Sequence, residues 1–204
     1  MWALVESNNV TQVYTRPKAL TIGDVNYPSN IFMLWSSSEL EAIGIYAVVI
    51  DNSNLKDKEY YINTNQSFAF ADGTVTATYG TATAKAIADT LYTAQDETDG
   101  LGTEGEVASR GLKYNYKQTI NSQAGGLLQD TDWMVVRAAE GGTAVPSSIT
   151  TKRAAVRTKA NTMQVQIDNA ANVDALATLY AYVNTGTEDS PVYERPLGEF
   201  PTVE

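Results

Sequence analysis

Residues 67–79 read Ser67-Phe68-Ala69-Phe70-Ala71-Asp72-Gly73-Thr74-Val75-Thr76-Ala77-Thr78-Tyr79. This stretch decides the class of the N-terminal half. Large and small residues alternate through both arms, the period of a half-buried strand. Asp72-Gly73 between them tolerates the positive φ that a two-residue hairpin turn requires. Two further hairpins precede it. Trp2 to Val5 and Val10 to Tyr14 flank the turn cluster Ser7-Asn8-Asn9, and Ala19 to Ile22 and Val25 to Tyr27 flank Gly23-Asp24,.

One short helix interrupts these strands. Ser36 precedes Glu39 by three residues, the spacing of a capping box,. Leu40 and Ile43 supply its apolar face, and Gly44 stands where a left-handed residue closes a helix,. Ile45 to Ile50 resumes as a continuous apolar strand, expected at the centre of a sheet, and Asp51-Asn52-Ser53-Asn54 turns the chain,. In the Tyr60-Tyr61 pair one ring must point outward from a strand,.

The period then changes. Ala84, Ile87, Ala88 and Leu91 predict a helix over Ala82 to Thr93,. Gln95 to Arg110, with five acidic residues, three glycines and no aromatic, reads as a linker or mobile loop,. Leu112, Tyr116, Ile120 and Leu127 share one helical face, and Gly125-Gly126 is expected to weaken or end that helix,. Asp130 or Thr131 would cap a next segment, Trp133 to Ala139,. Pro146 suits a first helical position ahead of the stripe Ile149, Val156, Ala160, Met163 and Ile167,. Asn172 would cap a last helix containing Val173, Leu176, Tyr180 and Val183,. Residues 185–204 hold three prolines and no helical period, and read as an extended tail, disordered or laid on a partner,.

The expected fold is therefore α+β. A β-rich module (1–94) with one short helix is followed by a linker (95–110), a small helical module (111–184) and the tail (185–204). No internal repeat occurs.

Composition bounds the chemistry. The 204 residues carry 14 Lys+Arg and 24 Asp+Glu, a net charge of −10, and contain neither Cys nor His. Those zeros remove the Ser-His-Asp triad, Cys nucleophiles and His/Cys zinc sites. Charged residues are 19% of the chain, below the ~25% of ordinary soluble domains. There are 25 Ala and 24 Thr, and an Ala/Thr-rich, low-charge surface suits a protein built to assemble. Apolar runs such as Ile43 to Ile50 are far shorter than the ~20 residues of a membrane span. Met1 to Glu6 has no basic segment of a signal peptide,, so synthesis in the cytosol is expected. The charge is uneven: residues 1–107 are net −9 and the remainder net −1. The acidic half argues against binding nucleic acid.

The candidate sites reduce in turn. Glu39/Glu41, Asp57/Glu59 and Asp130/Asp132 are the close carboxylate pairs, and capping or solvation accounts for them. Asp51 to Asp57 opens like a calcium loop, but Lys56 takes the place of its glycine,. Gly100-Leu101-Gly102-Thr103-Glu104-Gly105 has the form of a dinucleotide fingerprint without the strand before it, and its acids would repel a pyrophosphate,. No catalytic residue, cofactor or metal is expected. Lys152, Arg153, Arg157 and Lys159 put four cations on one helix. With no aromatic platform among them they read as a solvated face, or as pairing with the acidic N-terminal half or a neighbouring subunit. Tyr193 and Phe200 of the tail are further candidate partner contacts,. Trp35 and Trp133 are expected as core anchors, with Trp2 the exposed exception,.

Two segments resemble a known family. Arg16-Pro17, Leu20, Gly23-Asp24, Tyr27-Pro28, Asn30-Ile31-Phe32, Leu34-Trp35-Ser36, Glu39-Leu40 and Ile43-Gly44-Ile45 resemble the N-terminal module of small proteins encoded near tail-fibre genes of tailed bacteriophages, especially marine ones. Thr119-Ile120-Asn121, Ala124, Leu127-Leu128, Thr131-Asp132-Trp133, Arg137 to Glu140, Val145-Pro146 and Arg153 to Arg157 are similar to a module of phage tail and tail-fibre-assembly proteins. The resemblance implies a non-enzymatic virion protein of the tail or its fibres, a homo-oligomer with other tail or fibre proteins as partners. It leaves open a tail-fibre assembly chaperone absent from the virion. A capsid decoration protein and a carboxylate-dependent glycan hydrolase are the remaining alternatives.

Overall fold

Ser7 and Asn8 take φ values of 50° and 62° and turn strand β1 (Trp2–Glu6) back on β2 (Asn9–Tyr14). The same left-handed geometry recurs at Asp72 and Gly73, between β7 (Gln66–Ala71) and β8 (Thr74–Tyr79). The computed structural model describes residues 1–201, and the chain divides into two compact units after Thr83.

In the first unit, β3 (Leu20–Ile22) and β4 (Val25–Tyr27) form a separate hairpin. Two short helices follow, α1 (Ile31–Leu34) and α2 (Ser37–Ala42), where one was expected. Ser36 and Glu39 form the reciprocal capping box at α2. The strand β5 (Ile45–Asp51) lies central in a five-stranded sheet of order β2-β1-β5-β8-β7. It joins antiparallel β1 through Ile45–Ala47 and parallel β8 through Val48–Asp51. The β5–β8 pair needs a crossover, which residues 52–73 supply; they include the two-residue strand β6 (Tyr61–Ile62). Tyr60 is buried and Tyr61 half-buried.

Register assigns the faces. Ala3 opposes Tyr46, Val48 lies beside Val75, and Phe68 and Phe70 oppose Ala77 and Val75. These residues share one face. Ala3, Val75 and Ala77 are fully buried there, and the Tyr46 and Phe70 rings stand 4.7 Å apart. The small residues leave room for the sheet to curl and bring its edges β2 and β7 together,. On the other face Leu4, Tyr14 and Ile45 pack with Ile31, Phe32 and Leu40 of the helices and Leu20 of the small hairpin. Trp2 belongs to this core, its ring 4.8 Å from Phe32, and is not the exposed exception. Trp35 sits at the rim, edge-on to Tyr27.

The strand β9 (Thr83–Ala84) spans the division and β10 (Thr90–Leu91) follows it, so the helix expected over Ala82 to Thr93 does not form. Its alanines at 84, 86 and 88 fit a two-residue period as well as a helical one. Ala86 and Ile87 carbonyls accept the N–H groups of Leu112 and Lys113, which commits this segment to an extended path. The expected linker is also ordered, with α3 (Ala94–Thr98) capped by Thr93 and β11 (Val107–Ser109) paired to β10.

Three helices complete the unit: α4 (Leu112–Ala139), α5 (Ser147–Asn169) and α6 (Val173–Tyr180). Gly125-Gly126 does not interrupt α4, and no break precedes Trp133. Packing along α5 outweighs the local propensity. Pro146 immediately precedes α5 rather than opening it, Asn172 caps α6 as expected, and Val183 falls outside that helix.

The start of α4 has a cap supplied from outside the helix. Its N-cap residue is Gly111, which has no side chain to offer and no room for one, since a Cβ would collide with the Ala88 carbonyl. Asp89 takes over, accepting the Gly111 N–H at 2.8 Å and pairing with Arg110 at 2.6 Å. The Gly111 N–H first, then Arg110, lower the Asp89 pKa. A lowered native pKa means the contribution is complete above the unfolded carboxyl value of about 3.9 and is lost as pH falls through the native value. Asp89→Asn should therefore be less stable than wild type at neutral pH, with the difference closing in acid below about pH 3.9, as read by denaturant titrations across pH.

Gly44 offers a second test. Its φ is +83°, and an added Cβ would lie 2.8 Å from the Val5 carbonyl oxygen, which accepts no displacement because β1 is held on both sides. Gly44→Ala should cost about 2 kcal/mol or more, measured by chemical denaturation.

Candidate interaction surface

The antiparallel α4–α5 pair carries most of the expected contact residues. Its buried seam joins Tyr116, Ile120 and Ala124 of α4 to Val156, Ala160, Met163 and Ile167 of α5. Polar clamps run along the seam. Lys117 pairs with Asp168 at 2.7 Å, and Gln164 donates to Asn121 at 2.8 Å. Arg153 donates to the Leu128 carbonyl at 2.8 Å and to Thr131 at 2.6 Å, and pairs with Asp132 at 2.7 Å. With its side chain only 13% exposed, Arg153 is spent on its own chain.

The other cations of the cluster disperse around the helix. Lys152 is half-buried beside Leu127, Leu128, Thr131 and Ile149, around a cavity of about 10 Å³, room for a single water. Arg157 is exposed. Lys159 donates to the Leu197 carbonyl at 3.0 Å. The cluster is therefore not one face: Lys152 and Lys159, seven residues apart, lie on one flank of the buried stripe of α5, and Arg153 and Arg157, four apart, lie on the other,.

The expected tail is instead folded onto its own helical unit. β12 (Val183–Asn184) and β13 (Tyr193–Glu194) make a small hairpin. Leu197 beyond it is 0% exposed, and its N–H donates to the Leu179 carbonyl at 3.0 Å. Gln166 donates to Pro196. Arg195 lies near the rings of Tyr180 and Tyr182 and pairs with Glu199 at 2.7 Å. Tyr182 donates to the same carboxylate at 2.6 Å, and this hydrogen bond is the main cause of its raised pKa. A buried leucine, missed in a stretch rich in prolines, anchors the segment. Phe200 is half-buried and Tyr193 is 65% exposed. Residues 202–204 lie outside the described residues.

Two faces of the helix pair remain uncovered within the chain. On α5, the positions Thr151, Ala154, Ala155, Thr158, Asn161, Thr162 and Val165 are exposed and carry no charge over four turns. On α4, Trp133 and Val136 are each 55% exposed. Trp133 is thus not a core anchor; the Arg137 guanidinium lies 4.8 Å over its ring. About two turns before it, Gly125 and Gly126 face open space, since a Cβ on either would meet nothing within 4 Å. Two interior glycines cost a helix roughly 2 kcal/mol relative to alanine, and no packing within the chain requires them. The outward α4 face was present in the sequence as a 4-3-4-3-4 spacing of Ser122, Gly126, Gln129, Trp133, Val136 and Glu140. Reading Gly125-Gly126 as a break concealed it.

Among the described residues, no three acidic side chains converge to hold a metal ion. Among the same residues, no helix is long and apolar enough to cross a membrane. No protein-family model matches the chain, and neither a curated protein nor a solved structure matches it.

Arg153→Met tests the clamp. It removes three donated contacts and leaves Thr131 and Asp132 without their partner, so it should destabilise the helical unit by about 1–3 kcal/mol. Asp132→Asn, more than half exposed, should cost under about 1 kcal/mol. Urea titrations followed by circular dichroism would measure both, and equal costs would contradict the geometry.

Proposed function

We propose that this protein is a non-enzymatic structural component of a tailed-phage virion, attached to the tail or its fibres and acting through protein–protein contacts. One observation carries the contact role. The α4–α5 pair presents two long uncovered faces, one without charge and one bearing Trp133 and Val136 beside a glycine pair. Aromatic anchors next to close-approach positions are what a helix–helix interface uses. The assignment to a phage tail rests on the resemblance of residues 16–45 and 119–157. Lys152, Arg157, Tyr193 and Phe200 are the remaining candidate contacts at the periphery, and Arg153 and Lys159 act within the chain.

Purified particles of a phage encoding the chain test this reading. Denaturing gels with peptide identification should show it as a band near 22 kDa in stoichiometric amount with other tail proteins. A chain found bound to fibre subunits during synthesis but missing from finished particles would overturn virion membership and favour the chaperone.

A further inference from the structure

The segment after α6 is built like a ligand tied to its own receptor. Residues 181–194 are exposed throughout, and the β12–β13 hairpin within them is held by two residue pairs. Beyond it stands a tight turn, Arg195-Pro196-Leu197-Gly198, closed by its own residues. Gly198 donates its N–H to the Arg195 carbonyl at 2.8 Å, and the Arg195 Nε donates to the Gly198 carbonyl at 3.1 Å. Arg195 also pairs with Glu199 at 2.7 Å. Pro196 presets its own φ, and Gly198 supplies a φ of +73°,. These contacts all lie within five consecutive residues, so the turn keeps its shape when detached. The two helices grip it by its backbone. The Leu197 N–H donates to the Leu179 carbonyl of α6 at 3.0 Å. From α5, Lys159 donates to the Leu197 carbonyl at 3.0 Å and Gln166 to the Pro196 carbonyl at 3.1 Å. A Cβ at position 198 would collide with the Lys159 Nζ. Among the described residues after Tyr180, only Leu197 is buried, and the Arg195 guanidinium lies 5.7 Å from the Tyr180 ring. One apolar seat, one aromatic ring beside a cation and hydrogen bonds to the main chain are how a groove reads a short peptide.

We propose that the seat of Leu197 is a docking groove for a preformed Arg-Pro-Leu-Gly turn, filled by the chain's own turn in the isolated molecule and by the turn of a second copy when copies are crowded. The exposed tether holds its own turn at an effective concentration on the order of millimolar, which keeps a dilute chain closed on itself. None of the contacts from Lys159, Gln166, Leu179 or Tyr180 depends on that tether. Exchange between copies therefore repeats the same contacts and needs no new surface, and a ligand already folded into its turn loses little entropy on docking. The inference is independent of the phage-tail assignment, because its test uses the purified chain.

A labelled peptide of residues 193–201 stands in for the second copy's turn. Leu197→Asp in the full chain should eject its own turn while leaving the helical circular dichroism in place. The peptide should then bind this variant at least about tenfold more tightly than it binds wild type, and the same peptide with Leu197→Asp should bind at least about tenfold more weakly. Hydrogen exchange on unmodified wild type reads the opening directly. The Leu197 and Gly198 amides should exchange at least about tenfold faster than those of Met163 and Ile167 in α5. Wild-type chain refolded from urea at millimolar concentration should contain a dimer of twice the 22.1 kDa monomer mass, and Leu197→Asp should abolish it. Loss of the helices in Leu197→Asp, or exchange of Leu197 in step with Met163, would overturn the proposal, because the turn would then be core and not ligand. Peptide binding indifferent to either substitution would overturn it too, as would refolded wild type that stays monomeric.

Discussion

A pair of antiparallel helices can bury one stripe on each member and no more. This limit governs the second unit. Near its base, α6 and the segment around Leu197 add apolar cover, and Leu176, Ile167 and Leu197 are fully buried there. Farther along, α4 and α5 have only each other. There the seam narrows to Leu127, Leu128, Ile149 and Val156, and a buried-side arginine, Arg153, ties the helices together through three acceptors. The outward surfaces of both helices are what such a pair leaves over.

The first unit solves the burial problem differently. β1 is covered on both faces, with Trp2 and Leu4 toward the helices and Ala3 inside the curl. A strand with one alanine between two bulky residues suits a sheet whose inner face is tight and whose outer face is roofed by α1 and α2. The small hairpin β3–β4 completes that roof through Leu20 and Tyr27.

The parts of this fold that were legible in the sequence are those decided by chemistry within a few residues. The three N-terminal hairpins, the Ser36–Glu39 capping box, the Asn172 cap and the stripe from Val156 to Ile167 are of this kind. The parts that were not legible depend on distant partners. Residues 82–93 are extended because α4 donates to their carbonyls. α4 runs through two glycines because α5 supports it, and the proline-rich stretch is ordered because Leu197 finds a seat beside α5 and α6. The candidate contacts divide by the same rule. Charge alone marked Arg153 and Lys159, but carbonyl groups of Leu128 and Leu197 claim them within the chain. Trp133 looked like a core residue by type, and only the direction of its helix face shows that it points away.

The parallel pairing of β5 with β8 has a consequence in time. Each hairpin of the first unit closes a turn of a few residues, an event of about 1–10 μs. Val48 and Val75, by contrast, are neighbours across 26 intervening residues, and the ordering entropy of that crossover precedes any reward from the pairing. The β7–β8 hairpin, already formed, has to arrive beside β5 as a unit. Until it does, the free edge of β5 presents Val48, Val49 and Ile50 to any other extended chain in the same cell. The slowest step in building the sheet is thus also its interval of greatest exposure to mispairing.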